Sequence, residues 1–279
     1  MNIFAHPCDI IGANVTAFAS PIVPKPVLPR PGERLQAGVF VKTPAIEIVE
    51  LLALAGVDFI CLDAEHAPLD RLALDRMIAM ARALSLPCLV RIAAARPEAI
   101  MQAFDMGAGG VVVPHVASVA MARDIARWAR FGHGGRGYAG STRAAGYTTQ
   151  GMAATLAEAR DGPCVITQIE EPEGVASAEA IAAIDGIDAL FFGAADLAVA
   201  KGLTRSDDPA LAEALTTVSK AAAAAGKPLA GYVASAGKLA EAQTKGISMA
   251  FVGSEQSFIL AGARGLMDAT AALSTEHAA

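Results

Sequence analysis

The sequence predicts an α/β fold in which eight parallel strands close into a (β/α)8 TIM barrel, and three features point to it. Short apolar runs of strand length alternate with segments of helical period from residue 38 onward. The runs are nearly continuous in Val, Ile, Leu, Phe and Cys, as strands covered on both faces require. Reactive side chains gather where the runs end, whereas Gly, Pro, Ala and Cys stand where they begin. That asymmetry is expected of a barrel whose chemistry sits at one rim. An open doubly wound sheet is the alternative reading of the same alternation.

The first run, 38–41, ends in Lys42, and Thr43 and Pro44 open a helix that Gly56 closes. The second, 58–63, changes within a few residues from Phe59-Ile60-Cys61-Leu62 to Asp63, Glu65 and His66 before Pro68 stops it. Asp70 then caps a helix with Leu74, Met77, Ile78 and Ala81 on one face. The third run, 88–92, carries Arg91, and the fourth, 110–114, leads to Ser118 as the next cap. The fifth, 164–169, ends in Gln168 and Glu170, and the sixth, 189–193, runs into Asp196. Runs at 228–233 and 248–253 complete the set of eight.

The chain has 279 residues, long enough for a sizeable core, and no internal linker separates the barrel into parts. Residues 1–35 form a separate Pro-rich arm, with prolines at 21, 24, 26, 29 and 31, that packs on the barrel or a neighbour. Residues 36–279 are then one barrel domain. The hydrophobic fraction is 54%, yet no stretch of about 18 apolar residues is free of charge or a breaker, which excludes a spanning helix. A formal net charge of −6 argues against nucleic acid or an anionic membrane as partner. Cys8, Cys61, Cys88 and Cys164 form no C-x-x-C pair and read as small hydrophobes of a reducing compartment, the cytoplasm. No basic segment precedes an apolar core at the N-terminus, so no signal peptide is expected.

Glu170 and Asp196, at the ends of adjacent strands, converge on the same rim, and two carboxylates in a dry mouth repel unless a cation lies between them. Oxygen donors with room for water suit Mg²⁺ or Mn²⁺ better than zinc. The blander reading places Glu170 at a helix N-terminus and Asp196 in a turn. Arg91 offers a permanent fork of donors to a carboxylate or a developing enolate oxygen, or else pairs with Asp63 or Glu65.

Taken in order, Leu62-Asp63-Ala64-Glu65-His66-Ala67-Pro68, Val90-Arg91, Phe104-Asp105-Met106-Gly107-Ala108, Val113-Pro114, Gln168-Ile169-Glu170 and Gly193-Ala194-Ala195-Asp196-Leu197 resemble the signature of the HpcH/HpaI family. The resemblance runs from about residue 36 to about 260. It implies a barrel of the phosphoenolpyruvate/pyruvate type and a class II, metal-dependent aldolase. Such enzymes cleave 4-hydroxy-2-oxo acids reversibly to pyruvate, or an analogue, and an aldehyde. By the same resemblance Glu170 and Asp196 hold Mg²⁺ or Mn²⁺, with Co²⁺ possible. Arg91 steadies the enolate, and His66 paired with Asp105 moves the proton. Arg91, Gln168 and Ala195 line the substrate site. The family is oligomeric, commonly trimeric or hexameric, which suits the apolar C-terminal segment from Gln256 to Met267 as an intersubunit helix.

His115 stands where an apolar residue is usual and either reaches the site or packs, packing being the preferred reading. The glycine-rich loop 132–143 lacks a phosphate-loop ending and is read either as shaping the aldehyde side of the pocket, through Arg136 or Arg143, or as a solvated loop. Three rival functions stay open: a Schiff-base aldolase using Lys42, an acyl-CoA lyase of the citrate or malyl-CoA lyase type, and a non-catalytic barrel.

Overall fold

A computed structural model describes residues 24–26, 28, 29, 32–205 and 208–276. Its strands are β1 (Gln36–Val41), β2 (Phe59–Asp63), β3 (Cys88–Arg91), β4 (Gly110–Val113), β5 (Cys164–Ile169), β6 (Ala189–Phe192), β7 (Leu229–Val233) and β8 (Ile247–Ser254). Each pairs in parallel with the next, and β8 pairs with β1, so the sheet is a closed barrel and the open alternative falls. The strands lie where the apolar runs predict. β1 starts earlier, at Gln36, because Gln36 and Ala37 pair with Met249 and Ala250 to close the barrel.

Helices α1 (Ile46–Ala55), α2 (Arg71–Ala83), α3 (Pro97–Asp105), α4 (Val119–Trp128) and α5 (Met152–Asp161) return the chain between the first five strands. They are followed by α6 (Pro172–Ala176), α7 (Ala178–Ala182), α8 (Ala194–Ala200), α9 (Pro209–Ala224), α10 (Leu239–Thr244) and α11 (Glu255–Glu276). The caps are those expected. Asp70 accepts from Ala73 N–H at 2.7 Å, Ser118 from Met121 N–H at 3.2 Å, and Gly56 ends α1 at φ 74°.

Alternation along each strand sorts the core into two layers. One face packs on the helices, and the other fills the barrel with Phe40, Phe59, Cys61, Leu89, Ile166, Phe191 and Phe251. The rings of Phe40, Phe59 and Phe191 surround Phe251 at centroid distances of 5.1, 4.9 and 4.8 Å. Gly38 permits this filling, since a Cβ there would lie 2.2 Å from the Phe59 ring. The lumen is a packed interior, with no pore through it. Cys61, Cys88 and Cys164 are buried free thiols, and Cys8 lies outside the described residues.

At the end where strands begin, Leu28 of the Pro-rich arm packs against the lumen cluster, and Pro24 lies against Gly109. Residues 1–23, 27, 30 and 31 of the arm, Pro21 and Pro31 among them, lie outside the described residues. This end carries more charge than expected. Asp58 accepts from Ala37 N–H at 2.8 Å and pairs with Arg34, and Asp188 accepts from Val165 N–H at 2.7 Å. Lys227 Nζ donates to the Ala182 and Ile184 carbonyls at 2.5 and 2.8 Å. These groups tie the backbone together.

The loop 132–143 runs from the end of α4 across to the start of α2. It follows α4 and precedes α5 and β5, so it leaves from the side of the barrel opposite the strand ends. Arg136 is buried with its guanidinium 3.9 Å from the Phe131 ring centroid, while Arg143 Nη2 donates to both oxygens of Asp75 at 2.8 Å. Among the described residues no helix is long and apolar enough to cross a membrane. α11 exposes Phe258, Ile259, Leu260, Leu266, Met267 and Leu273.

Candidate active site

The same alternation that fills the lumen dictates what reaches its rim. Two residues beyond the last apolar lumen residue of a strand, the side chain again points inward, now above the packed rings. Phe40 is thus followed by Lys42, Cys61 by Asp63, Leu89 by Arg91, and Ile166 by Gln168 and Glu170. The Arg91 guanidinium lies 4.6 Å from the Phe40 ring centroid, so the aromatic layer is the floor of the site.

Asp63 is the hub of one side. Its side chain is fully buried and receives Arg91 Nε at 3.0 Å and Nη2 at 2.8 Å, with Lys42 Nζ 2.9 Å from Oδ2. Its Oδ1 also accepts the N–H groups of Glu65 (3.2 Å) and His66 (3.1 Å), which shapes the turn that presents both. Burial pushes this carboxyl up, but Arg91, then Lys42 and the His66 N–H, outweigh it and hold the pKa at about 2. Glu65 Oε2 lies 3.2 Å from Arg91 Nε and 3.6 Å from the half-exposed ring of His66.

Glu170 is the hub of the other side. Its Oε1 accepts the His115 N–H at 2.7 Å and lies 3.3 Å from His115 Nδ1, and its Oε2 accepts from Gln168. Burial, reinforced by the charge of Asp196 and opposed by the His115 and Gln168 hydrogen bonds, pushes the pKa of Glu170 up to about 7. His115 bridges the two sides, with Nε2 3.6 Å from Glu65 Oε1. Donor atoms of Glu65, His115 and Glu170 all lie within 4.8 Å of one another, a possible metal-binding cluster. The donor chemistry fits a divalent ion. Glu170 is buried against a second carboxylate and, among the described residues, has no Lys or Arg ion pair. Glu65 Oε2 and Gln168 Oε1 are buried without a hydrogen-bond partner.

The family model for HpcH/HpaI aldolase/citrate lyase matches residues 36–260, the whole of this barrel up to the start of α11. The chain belongs to this family. A 4-hydroxy-2-oxovalerate aldolase of Novosphingobium aromaticivorans is 37% identical over 173 residues, 61% of this chain and 64% of that protein. A hydroxypyruvate/pyruvate aldolase of Roseovarius nubinhibens is 32% identical over 62% of this chain and 67% of its own length. The matched stretch thus spans about two thirds of these relatives. Among solved structures, an HpcH/HpaI aldolase/citrate lyase family protein of Burkholderia cenocepacia superposes with a TM-score of 0.82 at 29% identity, covering 86% of this chain and 96% of that one.

Of the HpcH/HpaI positions singled out in the sequence, His66, Arg91, Gln168 and Glu170 come to one mouth. Asp196 and the exposed Ala195 lie beside them in the first turn of α8. Asp105 does not join them within the chain. α3 carries it away from the rim onto the outer wall, where it lines a cavity with Arg71, Asp75 and Arg143. There burial raises its pKa against the pull of Arg136 and Arg71. The carboxylates nearest His66 are Asp63 and Glu65. His115 is a second correction: it reaches the mouth instead of packing. Its φ of 56° turns its backbone N–H onto Glu170, a conformation nothing in Pro114-His115 announces. Glu255 opens α11 directly after β8. It is buried, and accepts the N–H groups of Lys42 at 3.0 Å and Thr43 at 2.7 Å, pinning the end of β1 to α11.

Proposed function

We propose that the chain is a class II aldolase, a carbon–carbon lyase that reversibly cleaves a 4-hydroxy-2-oxo acid to pyruvate, or an analogue, and an aldehyde. The observation that carries this reading is Glu170, a buried carboxylate that feels the charge of Asp196 and, among the described residues, has no Lys or Arg ion pair. In this reading Glu170 and Asp196 hold a divalent ion with His115 beside them. Carboxylate donors suit Mg²⁺ or Mn²⁺, and the imidazole brings Co²⁺ within range. When bound, the ion supplies Lewis-acid stabilisation to the 2-oxo acid. Arg91, held by Asp63 and Glu65 at one edge of its fork, directs its remaining N–H donors at the oxygen that gains charge as the C3–C4 bond breaks. His66 takes the C4 hydroxyl proton, with Glu65 at 3.6 Å placing its ring. Gln168 and Ala195 line the pyruvate side. Lys42 is engaged by Asp63, which disfavours a Schiff base at its amine.

The test is deuterium uptake into the pyruvate methyl group, followed by proton NMR, which reports enolate formation without any aldehyde. Uptake is expected to stop in EDTA, to return with Mg²⁺, Mn²⁺ or Co²⁺, and to be absent from Glu170→Gln. Uptake that survives EDTA and is trapped by borohydride on Lys42 would replace the metal route. Turnover of a CoA thioester would revive the acyl-CoA lyase, and no uptake with any ion would leave the non-catalytic barrel.

A cytoplasmic, reducing setting is part of the same proposal, consistent with the three free buried thiols. So is a homo-oligomer, a trimer or hexamer. α11 packs mainly on β1 and β8 and leaves its large apolar side chains uncovered, and Leu51 and Leu54 of α1 are uncovered as well. Sedimentation at micromolar concentration is expected to give a multiple of the chain mass, and a monomer would refute it.

A further inference from the structure

The mouth contains an aromatic side chain that the proposed chemistry does not use. In β7 every residue is buried except Tyr232, which is 56% exposed in the middle of a barrel strand. The alternation places it inside. Leu229 and Val233 belong to the layer under the helices, Ala230 belongs to the lumen, and Tyr232 is in register with Phe251 at the lumen's centre. A lumen-facing residue can be exposed only where the lumen opens, so the ring of Tyr232 stands in the mouth.

Its neighbours leave it room. On β6, Gly193 follows the Phe192–Gly231 pair and so lies level with Tyr232. On β8, the next inward position above Phe251 is Gly253. A Cβ on Gly193 would meet Glu170 Oε2 at 2.6 Å, so Gly193 lies directly against that carboxylate, and no side chain on β6 separates it from Tyr232. Tyr232 therefore stands between the Glu170 side of the mouth and the end of β1 that carries Lys42, with a glycine on each neighbouring strand. Lys42 and Arg91 are both paired with Asp63. What Tyr232 offers is a neutral O–H that both donates and accepts, the match for an alcohol.

We propose that Tyr232 is a specificity-determining residue that hydrogen-bonds a hydroxyl group on the aldehyde half of the substrate and so selects hydroxylated aldehydes over their deoxy counterparts. This rests on the aldolase reading, and the experiment separates the two. Wild type, Tyr232→Phe and Tyr232→Leu are compared in aldol addition of pyruvate to glycolaldehyde and to acetaldehyde, alongside deuterium uptake into pyruvate alone. Wild type is expected to favour glycolaldehyde by about tenfold in kcat/KM, the discrimination one half-exposed hydrogen bond supplies. Tyr232→Phe brings that ratio close to one, mainly through the KM for glycolaldehyde, and leaves deuterium uptake unchanged. Tyr232→Leu does the same. A wild type without preference, a ratio that survives in Tyr232→Phe, or a loss of deuterium uptake in that variant overturns the proposal. If wild type shows no uptake with any divalent ion, the aldolase reading itself has failed and takes this one with it.

Discussion

The two ends of this barrel use charge in opposite ways. Where strands begin, Asp58, Asp188 and Lys227 each bond to backbone of a neighbouring segment. Where strands end, Asp63, Glu65, Glu170, Arg91 and His115 bond largely to one another and crowd into a few ångströms. A carboxylate bonded to backbone has its partner built in and little left for a ligand. Carboxylates and cations that share partners can exchange them when a charged molecule arrives. The first end is built for stability, and the second keeps charge available.

The comparison can be broken most forcefully at Asp63, a mouth residue that also has a structural load. Asp63→Asn leaves Arg91 buried beside a neutral amide and Lys42 without its carboxylate, and is expected to destabilise the fold by about 3–5 kcal/mol in urea unfolding near neutral pH. The pH dependence fixes the cause. A carboxyl held at about 2 in the folded chain, against 3.8 ordinarily, contributes stability that is complete above pH 4 and disappears as pH falls toward 2. The gap between wild type and Asp63→Asn should therefore shrink over that interval. A gap independent of pH there would assign the loss to packing. At the opposite end Asp188→Ala removes one acceptor from Val165 N–H, and a loss of about 1–2 kcal/mol is expected, with deuterium uptake into pyruvate unchanged. A variant that lost uptake while remaining folded would show that the two ends are coupled.

Much of this was legible in the residues. Buried parallel strands announce themselves as continuous apolar runs, and Phe59-Ile60-Cys61-Leu62 followed by Asp63 states both the strand and its functional end. Arg91, Gln168 and Glu170 were legible for the same reason, since each directly follows or ends such a run. The rest depended on quantities that periodicity does not carry. His115 enters through one positive φ, and Glu255 acts across a separation of more than two hundred residues that only barrel closure brings together. Tyr232 reads as one more aromatic in a strand, because exposure depends on how high in the barrel the residue sits. Asp105, expected at the mouth, lies on the outer wall. Membership in a shared motif said nothing about which wall of the barrel a helix end would reach.

The seat of Leu28 at the base of the aromatic stack has a practical consequence. Leu28 acts as a stopper for the cylinder, although it precedes every element of the barrel. A shortened protein starting at the first strand would keep all eight staves and lose the plug, wetting from below the same rings on which Arg91 rests.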